Sequence, residues 1–323
     1  MSHACRREFL AFLAASPLLR AQAKGLPPVT DLVNVLEIED AARRKLAPGV
    51  FAEIAGGHEQ TIRRNREYFD WITLRPRVLV DVRKLNLATT LFGKPHDFPL
   101  LVAPMRGQDA IHTDGESAML AGAAAAKMAP VLTKPPAPGS NPWCMLVSSA
   151  DDARRAADGG AQAVFVTAGN PKEPWSWTRF DEIRAAAKIP LVVKGVMSPA
   201  EAKTAASRGA GAIVVSNHGG RYYDDAVSPM ETLAAVVDAV QIPVFADSGF
   251  RRGTDVMKAL GLGAKAVLIG RPALFGLGAY GQAGVQAALE LIQSELAMAM
   301  GLSGRPTLAT IDRTVVKVHR GPM

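Results

Sequence analysis

Residues 191–221 read LVVKGVMSPAEAKTAASRGAGAIVVSNHGGR. An apolar run ending in Lys194 precedes an alanine-rich amphipathic stretch, Pro199–Arg208, and a second run, Ala212–Ser216, follows it. Strands that are apolar throughout, instead of alternating, are buried on both faces, as parallel strands covered by crossover helices must be. The segment therefore reads as one strand-helix-strand unit of a parallel sheet.

Working outward from it, the same pattern repeats from residue 100 onward. The apolar runs are Leu100–Ala103, Pro130–Thr133, Cys144–Val147, Ala163–Thr167, Leu191–Lys194, Ala212–Ser216, Val244–Asp247 and Ala266–Gly270. Helices are predicted over Glu116–Met128, Asp151–Ala157, Phe180–Ala187, Pro199–Arg208, Met230–Val240 and Thr254–Leu262. The second unit is the weak one, because Lys134–Gly139 contains three prolines and leaves no room for a helix. Eight such units predict a TIM (β/α)8 barrel, one domain over residues 24–323. The alternative, an open doubly wound sheet, calls for a glycine-rich dinucleotide turn after the first strand, and there is none. Asp31–Leu46 reads as a helix with Ile38, Ala41 and Ala42 on one side, stopped by Pro48-Gly49 and lying as a cap on the barrel.

Composition supports one large core. Of 323 residues, 48% are hydrophobic and 21% charged, so global disorder, collagen-like and coiled-coil classes are excluded. The two cysteines, Cys5 and Cys144, make no disulfide framework, and the six histidines are scattered singly, so no structural metal is expected. The net charge of +7 is not concentrated in a basic tract, and only 6% of residues are aromatic; a bound phosphate group fits this balance better than a nucleic acid.

The first 23 residues carry Arg6-Arg7, a short apolar stretch to Leu19 and the small-x-small triplet Ala21-Gln22-Ala23. This is the order of a secretory leader, too short to span a bilayer, and the arginine pair before Glu8-Phe9-Leu10 resembles the twin-arginine export motif. Cleavage and a periplasmic location are expected; an ordinary amphipathic helix in a cytoplasmic protein is the alternative.

In a barrel of this kind chemistry sits at the carboxyl ends of the strands. Here those ends are polar: Lys194; Ser216-Asn217-His218; Asp247-Ser248-Gly249; Gly270-Arg271. Glycines at a strand tip let the backbone approach a ligand, and the following helix presents amides and a positive dipole end, so the last two units predict a phosphate site with Arg251 and Arg271 as its cations. Lys194 is open to three readings: a Schiff-base nucleophile, a structural ion pair, or an electrostatic partner for an electron-rich ring. His218 can take a proton at neutral pH, and Arg221 can fork onto a carboxylate. A base beside a carboxylate clamp suits chemistry at the carbon next to a carboxyl group.

On these residues the chain resembles the FMN-dependent 2-hydroxy-acid oxidase and dehydrogenase family, which includes glycolate and lactate oxidases. The resemblance runs from about Leu46 to Val316 and is carried by Leu74-Arg75-Pro76-Arg77, the strand around Lys194, Ser216–Arg221, Asp247–Val256 and Ile269–Pro272. It implies FMN in the barrel mouth, with Lys194 stabilising the reduced ring, His218 removing the substrate proton and Arg221 holding the substrate carboxylate. It implies that Asp247, Ser248, Gly249, Phe250, Arg251, Gly270 and Arg271 take the ribityl and phosphate groups. Thr167 and Ser216 would contact the ring, with Pro104, Met105 and Arg106 lying against it. The partners implied are a 2-hydroxy acid, an electron acceptor that is either oxygen or a redox carrier, and further copies of the chain in a tetramer.

The chain also departs from the family. The early tyrosine segment reads Phe51–Gly57, the glutamine and tyrosine ending the third strand appear as Met145 and Val147, and Ala168-Gly169-Asn170-Pro171 replaces the usual sequence after the fourth. The loop before Trp175, which in the family carries a second carboxylate-binding arginine, is cut to a few residues, while Arg106 replaces a small residue beside the flavin. Arg106 is therefore expected either to replace the lost arginine or to block the pocket. Two competing functions follow: an FMN-binding accessory protein without turnover, or an FMN barrel of another reaction type such as an isomerase. Neither needs His218 together with Arg221.

Overall fold

The computed structural model describes residues 25–140, 142–173 and 175–319, so the expected leader lies outside the described residues. The chain enters through three helices, α1 (Val35–Lys45), α2 (Pro48–Ala55) and α3 (Glu59–Asp70). The Asn34 side chain accepts hydrogen bonds from the Leu36 and Glu37 amides and so starts α1, four residues later than the sequence predicts; Asp31 lies in a short 3-10 turn. Pro48 does not stop α1. It is the first residue of α2, where a missing N–H is harmless and a fixed φ is already helical. α1 packs on the helix Arg271–Tyr280, and it is α2 that faces the barrel mouth, through Val50, Glu53 and Ile54.

After α3 come β1 (Ile72–Leu74), a hairpin of β2 (Thr89–Leu91) and β3 (Lys94–His96), and then the barrel. Its strands are β4 (Leu100–Val102), β5 (Ala129–Leu132), β6 (Cys144–Leu146), β7 (Val164–Thr167), β8 (Leu191–Val196), β9 (Ala212–Val215), β10 (Val244–Ala246) and β11 (Ala266–Ile269). They close in the order β10-β11-β4-β5-β6-β7-β8-β9, every neighbouring pair parallel. All eight runs read from the sequence are thus barrel strands, and the six predicted helices lie within a few residues of Gly115–Ala125, Ala150–Asp158, Trp177–Ala186, Pro199–Ser207, Pro229–Ala239 and Gly253–Gly261. As expected, Lys134–Ser140 carries no helix. Local chemistry sets several starts: the Ser149, Ser176 and Ser198 side chains each accept from the amide three residues on. Two helices the sequence reading left unassigned, Arg271–Tyr280 and Gln282–Leu302, complete the outer ring. β12 (Val316–Val318) pairs antiparallel with β1.

The apolar strands divide their side chains between two cores. Leu101, Val131, Phe165, Val192, Val214, Phe245 and Leu268 fill the barrel, whereas Leu100, Val102, Val164 and Val193 face the helices. A buried Phe or Leu contributes about 1.5–3 kcal/mol, so the strand interiors are apolar on both faces and polar residues such as Thr167 and Lys194 come only toward the carboxyl ends. The hairpin turn Phe92-Gly93 has positive φ at both residues, 54° and 74°, the backbone that a two-residue hairpin requires. It places the Phe92 ring 6.1 Å from Phe165 and 5.7 Å from Phe245, plugging the amino end of the barrel. Cys144 also points into the barrel, where burial pushes its thiol up to about 12 and leaves it inert. Among the described residues no helix is long and apolar enough to cross a membrane, and no group of His, Cys, Asp and Glu could hold a metal ion.

Candidate active site

With the amino end plugged, the carboxyl ends of the strands surround a cavity of about 270 Å³. Lys194 on β8 and Asp247 just after β10 meet at its base, Nζ to Oδ2 at 2.8 Å, with side chains only 7% and 8% exposed. Two charges this dry persist only when their remaining hydrogen-bonding capacity is met. Lys194 Nζ also donates to Ser216 Oγ at 2.8 Å, and Ser248 Oγ donates to Asp247 Oδ1 at 2.8 Å. Burial alone would raise the Asp247 carboxyl, but the Lys194 charge and these hydroxyls outweigh it and hold it below the usual carboxylate range. Lys194 thus makes an ion pair and still lines the cavity, where it can also face a ring.

His218 follows β9 with φ 57°, a left-handed backbone that its surroundings have to enforce. Its amide donates to Ser216 Oγ at 3.1 Å, and the next amide, Gly219, donates to Ser248 Oγ at 3.0 Å. Asn217 beside it exchanges side-chain hydrogen bonds with Asn65 of α3, at 2.7 and 3.0 Å. The ring fits because of two glycines: a Cβ on Gly169 would lie 3.3 Å from Nε2, and one on Gly195 3.1 Å from Cε1. Tyr222 covers it, ring centroids 5.0 Å apart. Burial first, then the Lys194 charge, push the imidazole down to about 4, against the opposing pull of Asp247. His218 is therefore neutral at physiological pH. One ring nitrogen hydrogen-bonds the Ala168 backbone, so the other carries the lone pair that can accept a proton.

Three arginines form the opposite side. Arg221 donates to the carbonyls of Glu53 (2.8 Å) and Ile54 (3.0 Å), and Arg271 to those of Gly219 (2.6 Å), Gly56 (3.1 Å) and Ile54 (3.3 Å). These are mostly the unsatisfied carbonyls at the end of α2, where a cation is electrostatically favoured. Arg251 lies 3.7 Å from Glu39 of α1 and over the Phe275 ring at 5.8 Å. Burial, and then the charges of Arg251 and Arg221, push Arg271 down to about 10. Positive charge is thus crowded against the start of the helix Gly253–Gly261 and the strand ends Ser248-Gly249 and Gly270. At Gly249, φ 86°, a Cβ would collide with the Asn65 carbonyl at 2.5 Å, so only glycine lets the backbone lie here. Crowded cations and a bare backbone fit a phosphate monoester, while the amides of Arg251, Arg252 and Gly253 are already taken by Asp255 and Glu295.

Of the residues singled out in the sequence, Pro104, Met105, Arg106, Thr167, Lys194, His218, Arg221, Asp247, Ser248, Gly249, Phe250, Arg251, Gly270 and Arg271 all line this cavity. Ser216 does not line it. It lies behind Lys194, 1% exposed, and acts on the cavity only through that lysine and the His218 amide. Met145 and Val147 do not face the cavity either: they pack outward on the helices, and Leu146 between them lines the site, since adjacent strand residues point to opposite faces. Arg106 pairs with Glu173 at 2.8 Å, and both line the mouth. Glu173, Tyr222 and the α2 carbonyls were not foreseen. Tyr222 adjoins Arg221 on the same loop, which is signal enough to have found it; nothing local marks Glu173.

The family profile of FMN-dependent dehydrogenases matches residues 42–135 and 167–318, leaving out the segment that contains β6. L-lactate oxidase of Nostoc sp. is 33% identical, over 88% of this chain and 98% of the relative. Glycolate oxidase 3 of Arabidopsis thaliana is 32% identical, over 89% and 96%. A solved structure of mandelate oxidase with (S)-2-phenylpropionate superposes with a TM-score of 0.84 at 32% identity, over 90% of this chain and all of that one. The lactate oxidase alignment extends over 356 positions, more than the 323 residues of the chain, so the relative carries segments that this chain lacks.

Proposed function

Because the chain belongs to the FMN-dependent dehydrogenase family, we propose that it oxidises a 2-hydroxy acid to the corresponding 2-oxo acid with FMN held in the barrel mouth. The observation that carries this reading is a neutral, buried His218 beside the Lys194–Asp247 pair in a cavity otherwise crowded with arginines. Arg251, Arg271, Ser248 and Gly249 would hold the cofactor phosphate, and Lys194 and Thr167 would lie against the ring. Bound FMN supplies a two-electron acceptor. His218 takes the proton that the substrate loses as its carbinol becomes a carbonyl, and Asp247 favours the imidazolium so formed while Lys194 opposes it. Arg221, fixed by two carbonyls, orients the substrate carboxylate.

Export by the twin-arginine route remains part of the proposal on the strength of Arg6-Arg7 and the residues that follow, and delivery of electrons onward to oxygen or a redox carrier completes the cycle. Assembly with further copies of the chain is supported by the resemblance and by the exposed apolar loop at Val78 and Leu79, 80% and 104% exposed. The test is direct: isolate the protein, record the flavin absorbance and add a panel of 2-hydroxy acids without oxygen. Bleaching by at least one is the expected result. Persistent colour with all of them refutes oxidation and leaves an FMN-binding protein without turnover; failure to bind FMN refutes the whole reading.

A further inference from the structure

We propose that the Arg106–Glu173 ion pair is an exchangeable specificity latch: the substrate carboxylate displaces Glu173 from Arg106, and the displaced Glu173 selects for 2-hydroxy monocarboxylic acids with an apolar side chain over diacids. The proposal rests on the oxidation of a 2-hydroxy acid in this cavity. Arg106 follows β4 and Glu173 follows β7, strands separated in the barrel by β5 and β6, so the pair spans the mouth. The two side chains are 58% and 27% exposed, and an ion pair this wet holds its partners together by a factor of only about five or less. It is made to be exchanged.

The other cations lining the cavity are engaged differently. Lys194 is locked to Asp247, Arg221 and Arg271 to backbone carbonyls, and Arg251 to Glu39. Asp247 is buried and the carbonyls are main chain; Glu39 is 22% exposed, but the arginine it faces is only 13% exposed, whereas Arg106 is 58% exposed and open to exchange. An incoming carboxylate oriented by Arg221 therefore meets in Arg106 a further cation, the one whose existing partner it most easily replaces. Once displaced, Glu173 remains at the mouth and repels a second anionic group, while Met105, Ile111 and Leu146 beside the pair offer apolar surface to a hydrocarbon side chain.

The test uses the FMN-loaded protein and two unreactive ligands, 2-oxohexanoate and 2-oxoglutarate, titrated by the change in flavin absorbance. The wild type is expected to prefer 2-oxohexanoate. Glu173→Gln should tighten 2-oxohexanoate about threefold to fivefold and 2-oxoglutarate by more, narrowing the preference. Arg106→Ala should weaken both at least about tenfold, and Arg106→Ala/Glu173→Gln should bind 2-oxohexanoate no better than Arg106→Ala alone. A thermal midpoint for each variant separates this from a structural tie. Unchanged affinities in Glu173→Gln, or additive effects in the double variant, overturn the latch. In that case a wild type still bleached by a 2-hydroxy acid leaves the oxidase reading intact; a wild type that binds no FMN removes both.

Discussion

The sharpest consequence of the site is a pH profile. His218 must be neutral to accept a proton, and its surroundings hold it at about 4, well under the ordinary value of 6.5. At pH 5 roughly nine-tenths of the enzyme should then be competent, whereas an imidazole at 6.5 would leave about 3%. The rate of flavin reduction by a bleaching substrate, measured by stopped flow under low-substrate conditions, should be flat from neutrality to about pH 5 and fall tenfold per unit below about pH 4. Lys194→Met removes the second cause of the depression and should shift the inflection upward, toward 6.5. A second readout needs no cofactor. Because the folded pKa is depressed, the unfolded chain binds the proton more tightly between about 6.5 and 4; this group therefore leaves stability untouched above 6.5 and erodes it as pH falls through that window, by about 3 kcal/mol at most. An inflection near 6.5 in the wild type would show that His218 is solvated and would refute the argument that burial and Lys194 set its proton affinity.

Two further outcomes are expected. Lys194→Met strands the Asp247 carboxylate in a dry wall and should cost about 3–5 kcal/mol, while Lys194→Met/Asp247→Leu should regain most of it; denaturant unfolding of the wild type, Lys194→Met, Asp247→Leu and the double variant measures the coupling, and a Lys194→Met cost below about 1 kcal/mol would contradict a buried pair. Arg271→Ala removes one of the crowded cations and should weaken FMN binding by about 1.5–3 kcal/mol, read by fluorescence titration, with riboflavin affected much less because it lacks the phosphate.

The barrel was legible because burial on both faces leaves an unambiguous mark: eight runs without alternation, separated by alanine-rich amphipathic stretches. The arginine-lined side of the cavity was legible because Gly249 and Arg251 follow one strand, Gly270 and Arg271 the next, and those two strands are neighbours in the barrel. What escaped depends on partners far apart in sequence. The Phe92-Gly93 turn lacks the usual Asn-Gly signal, and its role as a plug exists only because Phe165 and Phe245 meet it inside the barrel. The cavity-facing residue of β6 was misassigned by one position, and a slip of one residue on a strand reverses its face. That Arg221 and Arg271 both grip the end of α2, and that Glu173 reaches Arg106, are long-range meetings which no local pattern announces.

The antiparallel pairing of Ile72–Leu74 with Val316–Val318 joins segments some 240 residues apart and carries a consequence for the order of assembly. α3 runs directly into Ile72, and α3 supplies Asn65 behind the His218 loop and Arg66, which bonds the Gly249 carbonyl and Asp255. During synthesis the eight strands can emerge and close while this buttress still lacks one anchor. α3 is also tied to the barrel directly, by Asn65 to Asn217, Arg66 to Asp255 and Lys258 to the Phe69 carbonyl, so the final strand leaves the ribosome as the last brace on a wall that the barrel already holds in part.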